Sequence, residues 1–186
     1  EGQARLLEAA LVASVDHGPQ APSIAAARMA VTCGLSLNGA MGTAIHMLDD
    51  VHGGAGEQLV EWLYEISDKE KQEDLKGEII TYQVRVNKFI PGFGHRFHKP
   101  IDPRTPRLMS LLKGAKDKGL VSGKFMELAL SIERHLAEIK GKAVPMNIDG
   151  ATAVIFAELG FAPPLARGLF CLSRSVGAMA HAYEQM

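Results

Sequence analysis

The chain has 186 residues, of which 47% are hydrophobic and 22% charged, with a formal net charge of −1. That length allows one good-sized core or two closely packed lobes, and the composition is ordinary for a soluble globular protein. Near-neutral charge leaves no basic field for nucleic acid or an anionic membrane surface, so neither is expected as a partner. The two cysteines, Cys33 and Cys171, stand in apolar stretches without CxxC spacing. They are expected to be small buried thiols in a reducing, cytoplasmic compartment rather than a disulfide. No signal-peptide pattern is visible.

The chain opens on Glu1 rather than methionine, and the segment from Glu1 to Leu11 already reads as helix. Upstream residues are therefore expected to be missing. Ser23 to about Met47 is rich in alanine and glycine, with Ser23 after Pro22 as a cap. Its uncharged part, Met29 to Ile45, is too short and too rich in Thr, Ser, Asn and Gly for a membrane span. It predicts a buried helix against which other helices approach closely. Glu57 to Ile66 is a short amphipathic helix, and Asp68 to Lys76 a charged, solvated one. Ile79 to Phe89 is β-branched without clean alternation, so helix and extended chain both stay open.

Pro100 and Pro103 bracket a loop, after which Asp102 or Thr105 caps a helix over Pro106 to Lys116. Ser122 is expected to cap an amphipathic helix in which Phe125, Leu128, Ala129, Ile132, Leu136 and Ile139 share one face. A break with Pro145 follows. Ala151 to Leu159 reads as helix stopped by Gly160, and Pro163-Pro164 opens a last helix through Tyr183. That helix is apolar nearly all round and is expected to be buried. With no regular strand–helix alternation and no hairpin signal, the fold class is all-α.

Three segments each set a proton-handling side chain beside glycine: His52 in VHGGAG, His95 in PGFGHR and Asp149 in NIDG. His52 reads either as a loop histidine closing a helix end or as a donor to a carbonyl oxygen on which charge develops. Around His95, the backbone N–H groups of Gly92, Phe93 and Gly94 are expected to face outward, where they suit an anion or a nucleotide edge. Arg104 follows in Asp102-Pro103-Arg104 and suits a carboxylate; the plainer reading is a turn with a salt-bridged arginine. Asp149 at a helix entrance reads either as a cap or as a base. His17 in Asp16-His17-Gly18-Pro19 is either part of a simple turn or another imidazole aimed into a site. Arg174, midway along the apolar last helix, needs a partner or a ligand carboxylate if buried. His46, His98, His135 and His181 lack comparable settings, although His98 could sit at the mouth of a site. No HExxH motif or cysteine–histidine cluster occurs, so no metal is expected. The absence of GxSxG argues against a serine hydrolase.

Taken together, His17, HGG at His52, PGFGHR at His95, DPR at Arg104, NIDG at Asp149 and RSVGAMAH at Arg174 resemble the citrate synthase family in order and approximate spacing. The resemblance implies an all-helical fold with a large and a smaller domain, the N-terminal part of the large domain being missing. Residues 1–53 and 161–186 would belong to the large domain and 54–160 to the small one. It implies a homodimer or higher homo-oligomer, an acyl-CoA and a 2-oxo acid (or citryl-CoA) as substrates, and no permanently bound cofactor. It further implies that His52 donates to the thioester carbonyl of acetyl-CoA, Asp149 removes the methyl proton, and His95 donates to the keto oxygen of oxaloacetate. His17, Arg104 and Arg174 would hold the keto acid. Ile90, Pro91, Gly92, Phe93 and Gly94 would contact the adenine side of coenzyme A.

The sequence departs from the usual family pattern in three places: the short upstream segment, the end at Met186 soon after RSVGAMAH, and the Asp16-His17-Gly18-Pro19 segment. The last looks more like the citryl-CoA lyase branch and the synthase-like part of ATP-citrate lyase. Synthase and lyase directions are therefore near-equal expectations. The rival is a non-catalytic, dimerising relative that binds coenzyme A without turnover.

Overall fold

The computed structural model describes residues 1–67, 73–95 and 99–186. Among them are nine helices: α1 (Gly2–Ala13), α2 (Pro22–Thr32), α3 (Leu37–His46), α4 (Ala55–Glu65), α5 (Leu75–Arg85), α6 (Arg104–Asp117), α7 (Lys124–Lys140), α8 (Ile148–Glu158) and α9 (Pro163–Gln185). Extended pairing among the described residues is limited to two isolated bridges, Asp49 with Gly53 and Phe93 with Met146. The fold is all-α, as the lack of alternation implies.

Helix α8 is the central element. Every residue from Gly150 to Ala157 is buried, and α1, α4, α6 and α7 pack around it. Its sequence is apolar on all sides, which only a helix enclosed by others can satisfy. The larger core contains Leu59, Leu63, Ile79, Leu112, Ile132, Leu136 and Ile155 and extends to Leu6 and Ala10 of α1. A second cluster is built almost wholly of alanine: Ala27 and Ala30 of α2, Ala40 and Ala44 of α3, and Ala178 and Ala182 of α9, around Ile24. Small side chains there let three helices lie close together, which the alanine- and glycine-rich segment anticipates.

Several local expectations are corrected. The segment from Ser23 to Met47 is two helices. At the end of α2, Gly34 turns left-handed (φ 92°), its N–H bonding Val31 O and that of Leu35 bonding Ala30 O. The glycine closes α2 because this conformation suits it better than any residue with a Cβ. Ser23 lies inside α2, and Ala21 is the N-cap, with Pro22 in the first helical turn. Of the two options open for the β-branched run, the structure takes the helix over residues 79–85. Of the charged segment 68–76, residues 68–72 lie outside the described residues, and Asp74 caps α5 through the Gly77 N–H.

The entrance to α7 is capped from a distance. Gly123 is its N-cap. The Glu158 carboxylate accepts from the N–H groups of Gly123 (2.8 Å), Phe125 (2.7 Å) and Met126 (3.1 Å), while the Ser122 hydroxyl donates to it (2.9 Å). A carboxylate at a helix N-terminus satisfies orphan donors and the helix dipole together.

Helix α9 is not buried all round. Its inner face is small or polar (Ala166, Ser173, Arg174, Gly177, Ala178, Ala182), and a Cβ on Gly177 would stand 2.2 Å from Val15 O. Its outer face leaves Leu165, Leu172, Val176 and Tyr183 at least half exposed. Cys33, expected to be buried, is exposed at the end of α2, and Cys171 is half-buried on α9. Among the described residues, no helix is long and apolar enough to cross a membrane.

Candidate active site

His52 projects from the turn between α3 and α4. The turn is held by the Asp49 N–H bonding His52 O (2.9 Å), with Gly53 left-handed at φ 99°. The ring reaches the start of α2, where the Ser23 N–H donates to Nε2 at 3.2 Å and the Ser23 hydroxyl lies 2.9 Å from the same atom. A backbone N–H can only donate, so Nε2 is the acceptor nitrogen and the proton of the neutral ring sits on Nδ1. Burial and then the charge of Arg174 depress the His52 pKa. His52 is thus a neutral imidazole with Nδ1–H as its free donor. Ser23, read from the sequence as a cap, instead fixes this tautomer.

The segments that carry His95 and Asp149 are joined by a backbone clasp. Gly94 N–H donates to Pro145 O at 2.7 Å and Asn147 N–H to Gly92 O at 2.9 Å, and the Asn147 side-chain amide donates to Gly94 O at 2.6 Å. The glycines serve this clasp. A Cβ on Gly92 would stand 2.6 Å from Gly150 Cα, and one on Gly150 would stand 2.3 Å from Gly92 O. Their backbones therefore approach each other, where the sequence suggested approach to a ligand. The N–H groups of Gly94 and Phe93 are taken internally, by Pro145 O and Ile90 O, and are not presented outward as expected. Ile90, Pro91, Gly92 and Phe93 are buried.

The cap of α8 is Asn147, which accepts from Gly150 N–H at 3.1 Å. That removes the cap reading of Asp149, whose carboxylate is free for another role in the first turn. Asp149 retains a little accessible surface, but the protein surrounding its carboxyl raises its pKa by desolvation. Arg174 and Arg104 pull the other way, and Asp102 adds to the rise. An aspartate so placed is a stronger base than a solvated one.

Asp102, which the sequence offers only as a possible cap, joins the site through its carboxylate. It is 1% exposed. Both its oxygens hold Arg104, from Nε at 3.0 Å and Nη2 at 2.9 Å. It also accepts from the backbone N–H groups of Arg104 (3.1 Å) and Ile148 (3.1 Å), and His95 Nε2 is 4.0 Å away. Burial by itself would raise this carboxyl, but the Arg104 fork and the backbone donors bring it down to about 2. One carboxylate thereby ties together His95, Arg104 and the helix start that carries Asp149.

His17 stacks obliquely on His95, ring centroids 5.2 Å apart. Its neighbour Asp16 bonds Gly18 N–H (3.1 Å) and meets His181 Nε2 at 3.1 Å. His181, given no setting from the sequence, thus anchors the loop that carries His17. The Asp16 carboxyl pKa falls: burial opposes the shift, but His181 and the backbone N–H groups outweigh it. Arg174 is buried, 4.7 Å over the Phe170 ring, with Nε donating to Ser14 O at 3.1 Å. Desolvation lowers its pKa and Asp149, then Asp16, restores part of it. Arg174 is thus the charge felt by both Asp149 and His52. His98 and Arg96 lie outside the described residues. His135 pairs with Glu138 at 3.3 Å on the outer face of α7, away from this group.

Two imidazoles, an aspartate whose pKa is raised by burial and two arginines on neighbouring segments suit a reaction that creates an enolate beside carboxylates. Comparison with known proteins identifies the family. The family model described as "Citrate synthase, C-terminal domain" matches residues 1–186. The citrate synthase of Haloferax volcanii is 31% identical over 188 residues, covering 98% of this chain and 46% of that protein. That of Acidithiobacillus ferridurans is 32% identical over 81% of this chain and 38% of its own length. The chain therefore spans less than half the length of these relatives. Among solved structures, citryl-CoA lyase from Hydrogenobacter thermophilus superposes with a TM-score of 0.86 at 34% identity, covering 100% of this chain and 70% of that one. Citrate synthase from Thermotoga maritima gives 0.80 at 29%, over 98% and 49%. The ternary complex of citrate synthase from Thermoplasma acidophilum with carboxymethyl coenzyme A and oxaloacetate gives 0.80 at 25%, over 99% and 48%. The chain belongs to the citrate synthase family.

Proposed function

We propose that this protein makes or breaks the carbon–carbon bond between acetyl-CoA and oxaloacetate, with citryl-CoA as the other side of the equilibrium. The observation that carries this reading is the state of His52. Its Nε2 is occupied by Ser23 and its pKa is depressed, so a neutral Nδ1–H is left to donate to a thioester oxygen. A donor so placed is worth roughly 3 kcal/mol in the transition state.

In the cleavage direction, His95 accepts the proton of the citryl hydroxyl as the carbon–carbon bond breaks. The bonding pair moves into the thioester, where His52 stabilises the enolate oxygen, and protonated Asp149 supplies a proton to the carbon to give the acetyl methyl. In the synthetic direction Asp149 removes that proton, the enolate attacks the keto carbon while His95 protonates its oxygen, and water then hydrolyses citryl-CoA. The raised Asp149 pKa serves both directions. His17, Arg104 and Arg174 hold the keto acid and its carboxylates. The segment from Ile90 to Gly94, its backbone engaged internally, is proposed to stand beside the adenine side of coenzyme A. Cleavage is favoured by the similarity to citryl-CoA lyase over all of this chain.

The proposed arrangement places residues 1–53 and 161–186 in a large domain and 54–160 in a small domain that closes over the substrates and keeps water out. A second copy of the chain is proposed to cover the exposed Leu172, Val176 and Tyr183 face of α9, since apolar faces of this kind mark interfaces.

The test is to incubate the purified protein with citryl-CoA, and separately with acetyl-CoA and oxaloacetate. Acetyl-CoA and oxaloacetate released from the first, or free CoA and citrate from the second, support the reading and set its direction. Free CoA from citryl-CoA alone, with neither cleavage product, would refute it.

A further inference from the structure

The turn that carries His52 is gripped from the side by Arg167. Its Nη1 meets Asp49 Oδ1, its Nη2 meets Asp50 Oδ1, and its Nε faces Glu57 Oε2. One guanidinium thus joins both acidic residues of the turn to the first turn of α4. Asp49 and Asp50 stand largely in water, while Arg167 and Glu57 are mostly covered. The turn has little room to settle elsewhere. A Cβ on Gly54 would stand 2.7 Å from Asp50 Cα, and one on Gly53 would stand 3.1 Å from Phe170. Asp49 Oδ1 also takes the Asp50 N–H at 2.9 Å, and the Gln58 side chain donates to Asp50 O at 3.0 Å.

Residues 167, 170 and 174 share one face of α9. Arg167 grips the turn, Phe170 packs against Gly53, and Arg174 lies over Phe170 with its charge reaching His52. A single rigid helix therefore sets two things at once: where the His52 turn stands, and where the buried cation beside it stands. Rigid elements place reacting groups better than loops do, and His52, unlike Asp149 in the first turn of α8, is carried on a turn between helices.

We propose that Arg167 is a positioning residue: its fork holds the Asp49–Asp50 turn so that His52 bridges Ser23 and the substrate oxygen. This rests on the function proposed above. Lysine at this position would keep the charge but not the planar fork that meets three carboxylates at once.

The test compares the wild-type protein with Arg167→Met, Arg167→Lys and Asp50→Asn. Nitrogen-15 NMR of the histidine rings reads the tautomer and pKa of His52 without requiring turnover. The wild type is expected to show a neutral ring protonated at Nδ1, with a pKa below the usual histidine range. In Arg167→Met the pKa rises toward that range and the Nδ1–H tautomer is no longer exclusive. In the same variant kcat for citryl-CoA cleavage or for condensation falls about 10- to 100-fold, while oxaloacetate affinity measured by calorimetry stays within about twofold, because Arg104, Arg174 and His17 are untouched. Arg167→Lys recovers only part of kcat, and Asp50→Asn, a change in an exposed side chain that folds even if Arg167→Met does not, shows a smaller shift in the same direction. Unchanged His52 resonances and kcat in folded Arg167→Met or in Asp50→Asn would overturn the proposal, and so would full recovery by lysine. A wild type without either activity would end the functional reading alone, since the imidazole resonances still report whether Arg167 governs His52.

Discussion

Replacing Asp102 by asparagine keeps the side chain's shape and removes its charge. In the native protein the carboxyl falls from 3.8 to about 2, and at about 1.4 kcal/mol per unit this corresponds to about 2 kcal/mol of folding free energy carried by the ionised form. Breaking a buried ion pair from one side costs about 3–5 kcal/mol. The Arg104 side chain is 22% exposed, so water recovers part of its charge and the lower figure is the better guide. Asparagine offers one carbonyl oxygen where the carboxylate serves two Arg104 nitrogens and two backbone N–H groups. The folded pKa lies below the unfolded one, so the stabilisation is complete above the unfolded value and is lost as pH falls through the folded one. Urea unfolding should therefore show Asp102→Asn less stable by about 2 kcal/mol at neutral pH, with the deficit shrinking as pH drops from about 4 toward about 2. KM for the keto acid should rise as well, since Arg104 loses the partner that orients it. An Asp102→Asn protein as stable as wild type at neutral pH, or a deficit independent of pH across that window, would refute the reasoning.

Asp149→Asn should abolish turnover by several orders of magnitude yet leave the melting temperature unchanged or raised, because a carboxyl whose pKa is lifted by burial is a cost to the fold above its unfolded pKa; calorimetry and the CoA-release assay check the pair of outcomes. Gly150→Ala places a methyl 2.3 Å from Gly92 O, a clash between backbones that no rotamer relieves. A loss of about 2 kcal/mol or more is expected in denaturant titration, with reduced kcat because the clasp carrying His95 and Asp149 opens. Glu158→Ala strips three N–H groups of α7 of their acceptor and should cost about 1–2 kcal/mol, seen as a lower urea midpoint with little change in KM.

The all-helical class was legible from the helical periodicity, and His52, His95, Asp149, Arg104 and Arg174 could be picked out as candidates because each lies in a short, distinctive string of residues. Glycine beside His52, His95 and Asp149 marked tight backbone, and Arg174 in an apolar helix marked a buried charge in need of partners. Their supports were not legible. Ser23 meets His52 across 29 positions, Asp102 meets Ile148 across 46, Arg167 meets Asp49 across 118 and His181 meets Asp16 across 165. Nothing local distinguishes these side chains from an ordinary cap, turn or surface group.

What the amino-acid string determined by itself is therefore the periodicity that makes helices and the residue types able to carry protons and hold carboxylates. Tertiary structure decided which of two local options each residue takes. Asp149 escapes capping because Asn147 occupies that position, and His52 keeps its proton on Nδ1 because the start of α2 presents an N–H to Nε2. Hydrogen bonds and ion pairs act over a few ångströms of space whatever the separation along the chain, so only the packed helices could make those choices.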